Sequence, residues 1–216
     1  MQIPLASTGS PQPLADRPAR PADMKVLIAV PTFETIAPEC FKAIYELQGD
    51  DLTFDFVRGY DCAKARNEIA KKALNGGFDY VLMVDSDIVI PPDTLVKMLD
   101  APVNICFGVY PRKNKPGETE LFKDDTFDFT NRYSYEELSK EDVNKIPVKG
   151  SGFGCALIKT DVFANIEYPW FEFYSYDNGT FLSEDLAFCM KASIRYRLLA
   201  DIRVKCGHIA KRVQYE

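Results

Sequence analysis

The sequence has little of what staples, anchors or coats. One histidine, His208, and one tryptophan, Trp170, stand in 216 residues. The six cysteines (Cys40, Cys62, Cys106, Cys155, Cys189 and Cys206) are scattered and form no Cys-x-x-Cys pair. They read as reduced, mostly buried small hydrophobes of a cytoplasmic protein, and a disulfide framework is not expected. No apolar run approaches the about 18 to 20 residues that cross a bilayer. The longest lie near Val26–Val30 and Val81–Val84, so neither a transmembrane helix nor membrane insertion is expected. The N-terminus shows no basic segment followed by an apolar one, so no secretory signal is expected. Positive charge is also in deficit. With 26 Lys and Arg against 32 Asp and Glu the net charge is −6, which argues against a protein devoted to coating nucleic acid. What remains is a globular composition, 46% hydrophobic and 27% charged. A chain of this size buries roughly two-thirds to three-quarters of its unfolded surface without metal staples, so a bound metal would serve function.

Residues 1 to 23 hold five of the fourteen prolines, no aromatic residue and no hydrophobic period, and read as a disordered extension. The domain is expected over 24–216. From Met24 onward apolar strand-like runs alternate with capped helix-like stretches, the signature of an α/β domain. The expected strands are Lys25–Val30, Thr53–Arg58, Asp79–Val84, Val103–Val109, Cys155–Lys159 and Ile202–Lys205. Pro38 suits a first helical position, ahead of Phe41, Ile44 and Leu47 at helical spacing. Asp61 can cap a helix that Gly76 and Gly77 end, Pro91–Leu99 and Glu184–Ala192 read as helices, and Ser134 with Glu137 makes a capping box. Charge is unevenly spread. Residues 118–142 carry nine acids and three bases, whereas residues 191–212 carry seven Lys or Arg and one acid, Asp201. The second stretch is a candidate polyanion-facing surface, although a solvated helix face followed by an edge strand has the same composition.

The third strand runs into VLMVDSDIVIPPD, so Asp85 and Asp87 leave the carboxyl end of a buried strand, where open α/β sheets place their ligands. Paired carboxylates there suit a hard divalent cation, Mn²⁺ or Mg²⁺, with substrate phosphates completing its shell. A nucleotide-containing substrate follows. The bland use of the same residues is to cap the turn ahead of Pro91 and Pro92. A strand followed by Asp-x-Asp-x-Val also resembles the nucleophile motif of haloacid-dehalogenase-like phosphatases, but that family carries it on the first strand, and two strand–helix units precede it here. A sugar nucleotidyltransferase would show a Gly-rich loop, an Arg and a Pro-Lys pair after the first strand. VPTFETIAPE, residues 30–39, has none of these.

That segment instead resembles the opening of GT-A fold glycosyltransferases, in particular family 2-like enzymes, where a strand ending in Pro begins the nucleotide pocket. Pro31 and Thr32 stand at that place. DCAKARNEIA, residues 61–70, is similar to the family's ARN segment, which implies Arg66 and Asn67 near the donor's nucleotide and phosphates. FLSEDLAFCMKA, residues 181–192, follows the glycine-rich GSGFGC and resembles the ED motif. In VKCGHIAK, His208 matches the metal-ligand histidine after the last core strand. Each alone has a bland use: a surface Arg and a helix-interior Asn, an acidic helix N-terminus, an ordinary histidine. Their order along residues 25 to 208 carries the resemblance.

The resemblance implies a single-domain, Rossmann-like GT-A fold with a mostly parallel sheet flanked by helices. It implies a metal-dependent enzyme that moves a sugar from a nucleoside diphosphate sugar, with UDP the expected nucleotide, to an acceptor hydroxyl with inversion. Asp87 and His208, with Asp85, would hold Mn²⁺ or Mg²⁺, and Asp85 would also lie near the ribose. Asp185 would be the general base, with Glu184 orienting it or acting in its place. Arg112, with Lys113, would contact the donor; the bland alternative is an exposed basic turn. Trp170, Phe171, Phe173, Tyr174 and Tyr176 can stack an acceptor, and packing of the sheet's end is their more ordinary use. The acceptor stays open among saccharide, protein and hydroxymethylated DNA base. Compact phage-type enzymes of this kind make the last a candidate, with Arg195, Arg197, Arg203, Lys205, Lys211 and Arg212 tracking phosphates in a host cytoplasm. Oligomeric state is not specified. Two rival classes stay open: the phosphatase, and a non-catalytic nucleotide-sugar-binding module.

Overall fold

A computed structural model describes residues 24–209 except Tyr60, Asn114, Asn178 and Thr180; the expected extension 1–23, Lys211 and Arg212 lie outside the described residues. Alternation along the first strand sets the layers. In β1 (Val26–Thr32), Val26, Ile28 and Val30 pack on one face of the sheet, with Cys40, Ala43 and Ile44 of α1 (Pro38–Tyr45). Leu27 and Ala29 pack on the other, with Ile69, Ala70 and Ala73 of α2 (Cys62–Asn75). Pro38 stands in the first turn of α1, and Asp61 caps α2 by accepting from the Lys64 N–H at 2.7 Å, both as the sequence leads one to expect. Between and after these come β2 (Leu52–Arg58), β3 (Tyr80–Val84), β4 (Ile88–Val89), α3 (Thr94–Met98) and β5 (Ile105–Val109). The helix expected over Pro91–Leu99 is thus a short one.

The following segment is richer in strands than its acidic composition suggests. It forms β6 (Pro111–Arg112), β7 (Lys115–Phe122), β8 (Arg132–Ser134), the one-turn α4 (Tyr135–Leu138), β9 (Lys145–Val148) and β10 (Gly150–Ser151). Thr119 is fully buried between half-exposed Glu118 and Glu120. The acids therefore line one side of a strand whose other side is packed, with β7 bonded to β6, β8 and β10. Ser134 and Glu137 make the expected capping box. The chain ends in β11 (Cys155–Lys159), α5 (Asp161–Asn165), β12 (Tyr174–Ser175), β13 (Phe181–Leu182), α6 (Glu184–Ser193), β14 (Leu198–Lys205) and β15 (Gly207–His208).

The main sheet has seven strands in the order β2-β1-β3-β11-β5-β14-β9. Five run parallel; β11, between β3 and β5, and β9, at the edge, run antiparallel. This is the mostly parallel, helix-flanked α/β domain expected. Phe153, Phe163, Phe171 and Phe188 interlock over its α2–α6 face, with Phe171 and Phe188 stacked at 4.8 Å. All six cysteines are free and five are buried; Cys62 is exposed because it opens α2. Among the described residues no helix is long and apolar enough to cross a membrane.

Candidate active site

The site grows from the carboxyl ends of β1 and β3. Because β11 is antiparallel to β3, its amino end lies beside the exit of β3. Cys155 pairs with Val84, and the Asp85 N–H donates to the Gly154 carbonyl at 3.1 Å. The Asp85-Ser86-Asp87 turn is braced by the Ile88 N–H on the Asp85 carbonyl at 3.0 Å and the Ala37 N–H on the Ser86 carbonyl at 2.9 Å. Pro31 and Thr32 are buried at the end of neighbouring β1, with the Thr32 hydroxyl donating to the Thr35 carbonyl at 2.7 Å.

Arg66 is the centre of the site. Only 3% exposed, it donates from Nη2 to Asp85 Oδ1 at 2.8 Å and from Nη1 to Glu184 Oε1, and its guanidinium lies over the Phe153 ring. Burial opposes its charge, but Asp85 and Glu184 outweigh burial and hold its pKa above the ordinary value. One buried cation thus ties the end of β3 to the start of α6. The carboxylates that open α6 consequently divide. Glu184 is buried on Arg66, whereas Asp185 is half-buried, with Oδ1 accepting from the Ser183 hydroxyl and from the Leu186 N–H at 2.8 Å.

Asn67 has a different task from the one expected. Its amide donates to the Ala63 and Phe171 carbonyls at 2.8 and 2.6 Å and accepts from the Trp170 and Phe171 N–H groups at 3.0 and 3.2 Å. All four of its hydrogen-bonding positions go to backbone, so it anchors the segment ahead of α6 and has none left for a nucleotide.

Asp87 and His208 are brought together by pairing of β4 with β15, in which His208 faces Ile88, and by the Ile209 N–H on the Asp87 carbonyl at 2.9 Å. Asp87 Oδ1 lies 3.7 Å from His208 Nε2, and Oδ2 lies 2.5 Å from Lys113 Nζ. His208 Nδ1 is 2.7 Å from the Pro111 carbonyl, which can only accept, so Nδ1 carries hydrogen and a neutral ring turns its Nε2 lone pair toward Asp87. When the imidazole is protonated, its Nε2–H faces Asp87 instead and holds that carboxyl down at about 2, against burial and with help from Lys113. Burial would lower the imidazole, but Asp87 and the Pro111 carbonyl outweigh it and raise its pKa. A carboxylate oxygen and an imidazole nitrogen this close suit one divalent ion, with phosphate and water as its other ligands. Asp85, with Oδ1 on Arg66, is not grouped with them. Among the described residues no three His, Cys, Asp or Glu side chains converge as a metal site, so the expected triad is a pair.

Arg112 also departs from expectation. Its Nη1 donates to Glu118 at 2.6 Å and its Nε lies 3.7 Å from Glu120, while the next residue, Lys113, takes Asp87. β6 ends at Arg112 and Lys113 stands in the turn that follows, so the two cations take different partners. Glu120 further pairs with Arg132 at 2.8 Å, whose guanidinium lies against the Phe122 and Phe129 rings. The basic stretch is partly spent as well: Arg203 pairs with Asp201 and Asp100, and Lys191 with Glu172, which leaves Arg195, Arg197 and Lys205 exposed. In the aromatic cluster Trp170 and Phe171 are core, whereas Phe173, Tyr176 and Phe181 are exposed around the hairpin that leads into α6.

Tyr110, whose ring meets His208 edge-on at 5.6 Å, and Glu120, whose carbonyl accepts from the Gly152 N–H at 3.3 Å, border the candidate site without a motif. The alternation Glu118-Thr119-Glu120-Leu121 was the signal for Glu120, hidden in an acidic block; Tyr110 had none. The buried Tyr110 hydroxyl accepts from the Gly154 N–H at 3.1 Å. A Cβ on Gly152 would stand 2.3 Å from that hydroxyl oxygen, and one on Gly154 2.7 Å from ring carbon Cζ. Gly152→Ala and Gly154→Ala are each expected to cost about 1 to 3 kcal/mol by overpacking. Adding Tyr110→Phe should relieve the first and not the second in thermal denaturation. Equal relief of both would refute this account.

No family model and no curated protein matches the sequence. Solved structures do. A197 from STIV superposes with a TM-score of 0.63 at 16% identity, covering 87% of each chain. S. aureus TarS 1-349, crystallised in complex with UDP-GlcNAc, superposes with a TM-score of 0.52 at 16% identity, over 89% of this chain. This chain spans 60% of the length of that one. At such identities the likeness is one of fold, and the chain is a single α/β domain with the GT-A-like fold that it shares with TarS.

Proposed function

We propose that the protein is a metal-dependent glycosyltransferase that moves a sugar from a nucleoside diphosphate sugar, UDP-linked, to an acceptor hydroxyl with inversion. The observation that carries this reading is the division of labour around Arg66. The cation pairs with buried Glu184 and half-buried Asp85 and leaves Asp185 outside that pairing, at the end of the sheet that also carries the Asp87–His208 pair. The fold shared with TarS, a protein crystallised with UDP-GlcNAc, supports the donor class.

Asp85 keeps one oxygen on Arg66, and its side chain is 34% exposed, so it is assigned the ribose. Asp87 Oδ1 and His208 Nε2 would hold Mn²⁺ or Mg²⁺, which when bound neutralises charge on the departing diphosphate. Asp185 takes the acceptor hydroxyl's proton as the oxygen attacks the anomeric carbon and the bond to the diphosphate breaks. Glu184 orients this end of α6 through Arg66. Phe173, Tyr176 and Phe181 suit stacking of an acceptor ring, either a sugar or a hydroxymethylated base. Exposed Lys205, at the carboxyl end of β14, would contact the phosphates of a DNA acceptor, whereas Arg195 and Arg197 lie ahead of β14 at the opposite end of the sheet.

The test is release of nucleoside diphosphate from a panel of nucleotide sugars with Mn²⁺, Mg²⁺ or EDTA, with and without hydroxymethylcytosine DNA and simple saccharides. Metal-dependent release from one donor, stimulated by one acceptor, is expected. Silence across the panel without donor-induced thermal stabilisation would overturn the reading, and phosphate release from an aryl phosphate would replace it with the phosphatase.

A further inference from the structure

Lys113, and not Arg112, enters the candidate cation site. Its ammonium lies 2.5 Å from Asp87 Oδ2, on the carboxylate whose other oxygen faces His208 Nε2 at 3.7 Å. A lysine ammonium is a compact hard cation, so it asks of this carboxylate what a divalent ion would ask. Its side chain is 50% exposed on a flexible four-carbon stem, and Asp87 is its partner on the protein, so it can leave without disturbing packing. An ion pair this exposed is weak, about two- to fivefold in a competing equilibrium, which a divalent ion with two protein ligands exceeds. Once displaced, the ammonium stays within one side chain's length of Asp87. That is where the phosphate oxygens completing the ion's shell would lie.

We propose that Lys113 is an exchangeable cation. It neutralises Asp87 in the free protein and passes to the phosphate oxygens of a nucleoside diphosphate when a divalent ion takes its place. This rests on the reading of Asp87 and His208 as the cation site of a nucleotide-sugar enzyme.

The exchange predicts effects of opposite sign from one substitution, which a structural role would not produce. Mn²⁺ binding to the protein alone is measured by water-proton relaxation. Lys113→Gln should bind Mn²⁺ about two- to fivefold more tightly than the wild type, and Lys113→Arg, which keeps the charge, should match the wild type. UDP binding at saturating Mn²⁺ is measured by calorimetry, where Lys113→Gln should bind about tenfold more weakly and Lys113→Arg should recover part of the loss. Unchanged or weaker Mn²⁺ binding in Lys113→Gln overturns the exchange, as does no Mn²⁺ binding in any of the three proteins. Unchanged UDP affinity overturns the transfer to phosphate. Absence of sugar transfer from every donor, with both shifts present, would sink the glycosyltransferase reading and leave the exchange standing. Transfer with flat Mn²⁺ affinity would do the reverse.

Discussion

Asp185→Asn is expected to lower turnover by about 10²- to 10⁴-fold while donor affinity and melting temperature stay near those of the wild type. The substitution keeps the side chain's shape, and its oxygen can still accept from the Ser183 hydroxyl and the Leu186 N–H, the two bonds that hold Oδ1 at the start of α6. What it loses is the capacity to take a proton. Glu184 cannot stand in, because it is buried in an ion pair with Arg66 and is committed there whatever the acceptor does. Single-turnover sugar transfer and calorimetric donor binding, run side by side, separate the two quantities. Turnover within a few-fold of the wild type would remove Asp185 from the role of base.

The second large effect is on stability. Arg66→Met should cost about 3 to 5 kcal/mol, because it strands the buried Glu184 carboxylate without its cation. At this chain length that corresponds to a fall of about 6 to 20 °C in melting temperature. Asp85 suffers less, since its side chain is 34% exposed and water can replace the guanidinium. The decisive comparison is the double variant Arg66→Met with Glu184→Gln. A neutral amide removes the stranded charge, so the pair of substitutions should cost less than Arg66→Met alone, the sign that identifies a buried charge as the penalty. If the two losses simply add, Arg66 and Glu184 are not energetically coupled, and the bond between β3 and α6 is not what holds the site.

Local pattern was enough for the layers of this molecule. Alternation in Val26–Thr32, the Asp61 cap, Pro38 at a helix start and the Ser134–Glu137 box each depend on residues within one or two turns, and each forms where the sequence leads one to expect. So does the strand that delivers Asp85 and Asp87 to the end of the sheet. Short strands were not legible. β4, β10 and β15 have two residues each, too few to show a period, and they exist because distant partners satisfy their backbone groups.

The candidate site residues divide along the same line. The order of motifs that resembles the glycosyltransferase family marked Arg66, Asp85, Asp87, Glu184, Asp185 and His208 as a set. Which of them meet was decided by tertiary pairing. β4 on β15 puts His208 beside Asp87, and the antiparallel β11 sets Gly152 and Gly154 against Tyr110. The burial of Arg66 then claims Asp85 and Glu184, saturates no other acid, and leaves Asp185 apart. The turn after β6 parts Arg112, on Glu118, from Lys113, on Asp87, and a complete set of backbone bonds occupies the Asn67 amide. These outcomes depend on charge satisfaction and hydrogen-bond saturation between distant segments, such as Arg66 and Glu184, 118 positions apart, which no local window of sequence contains.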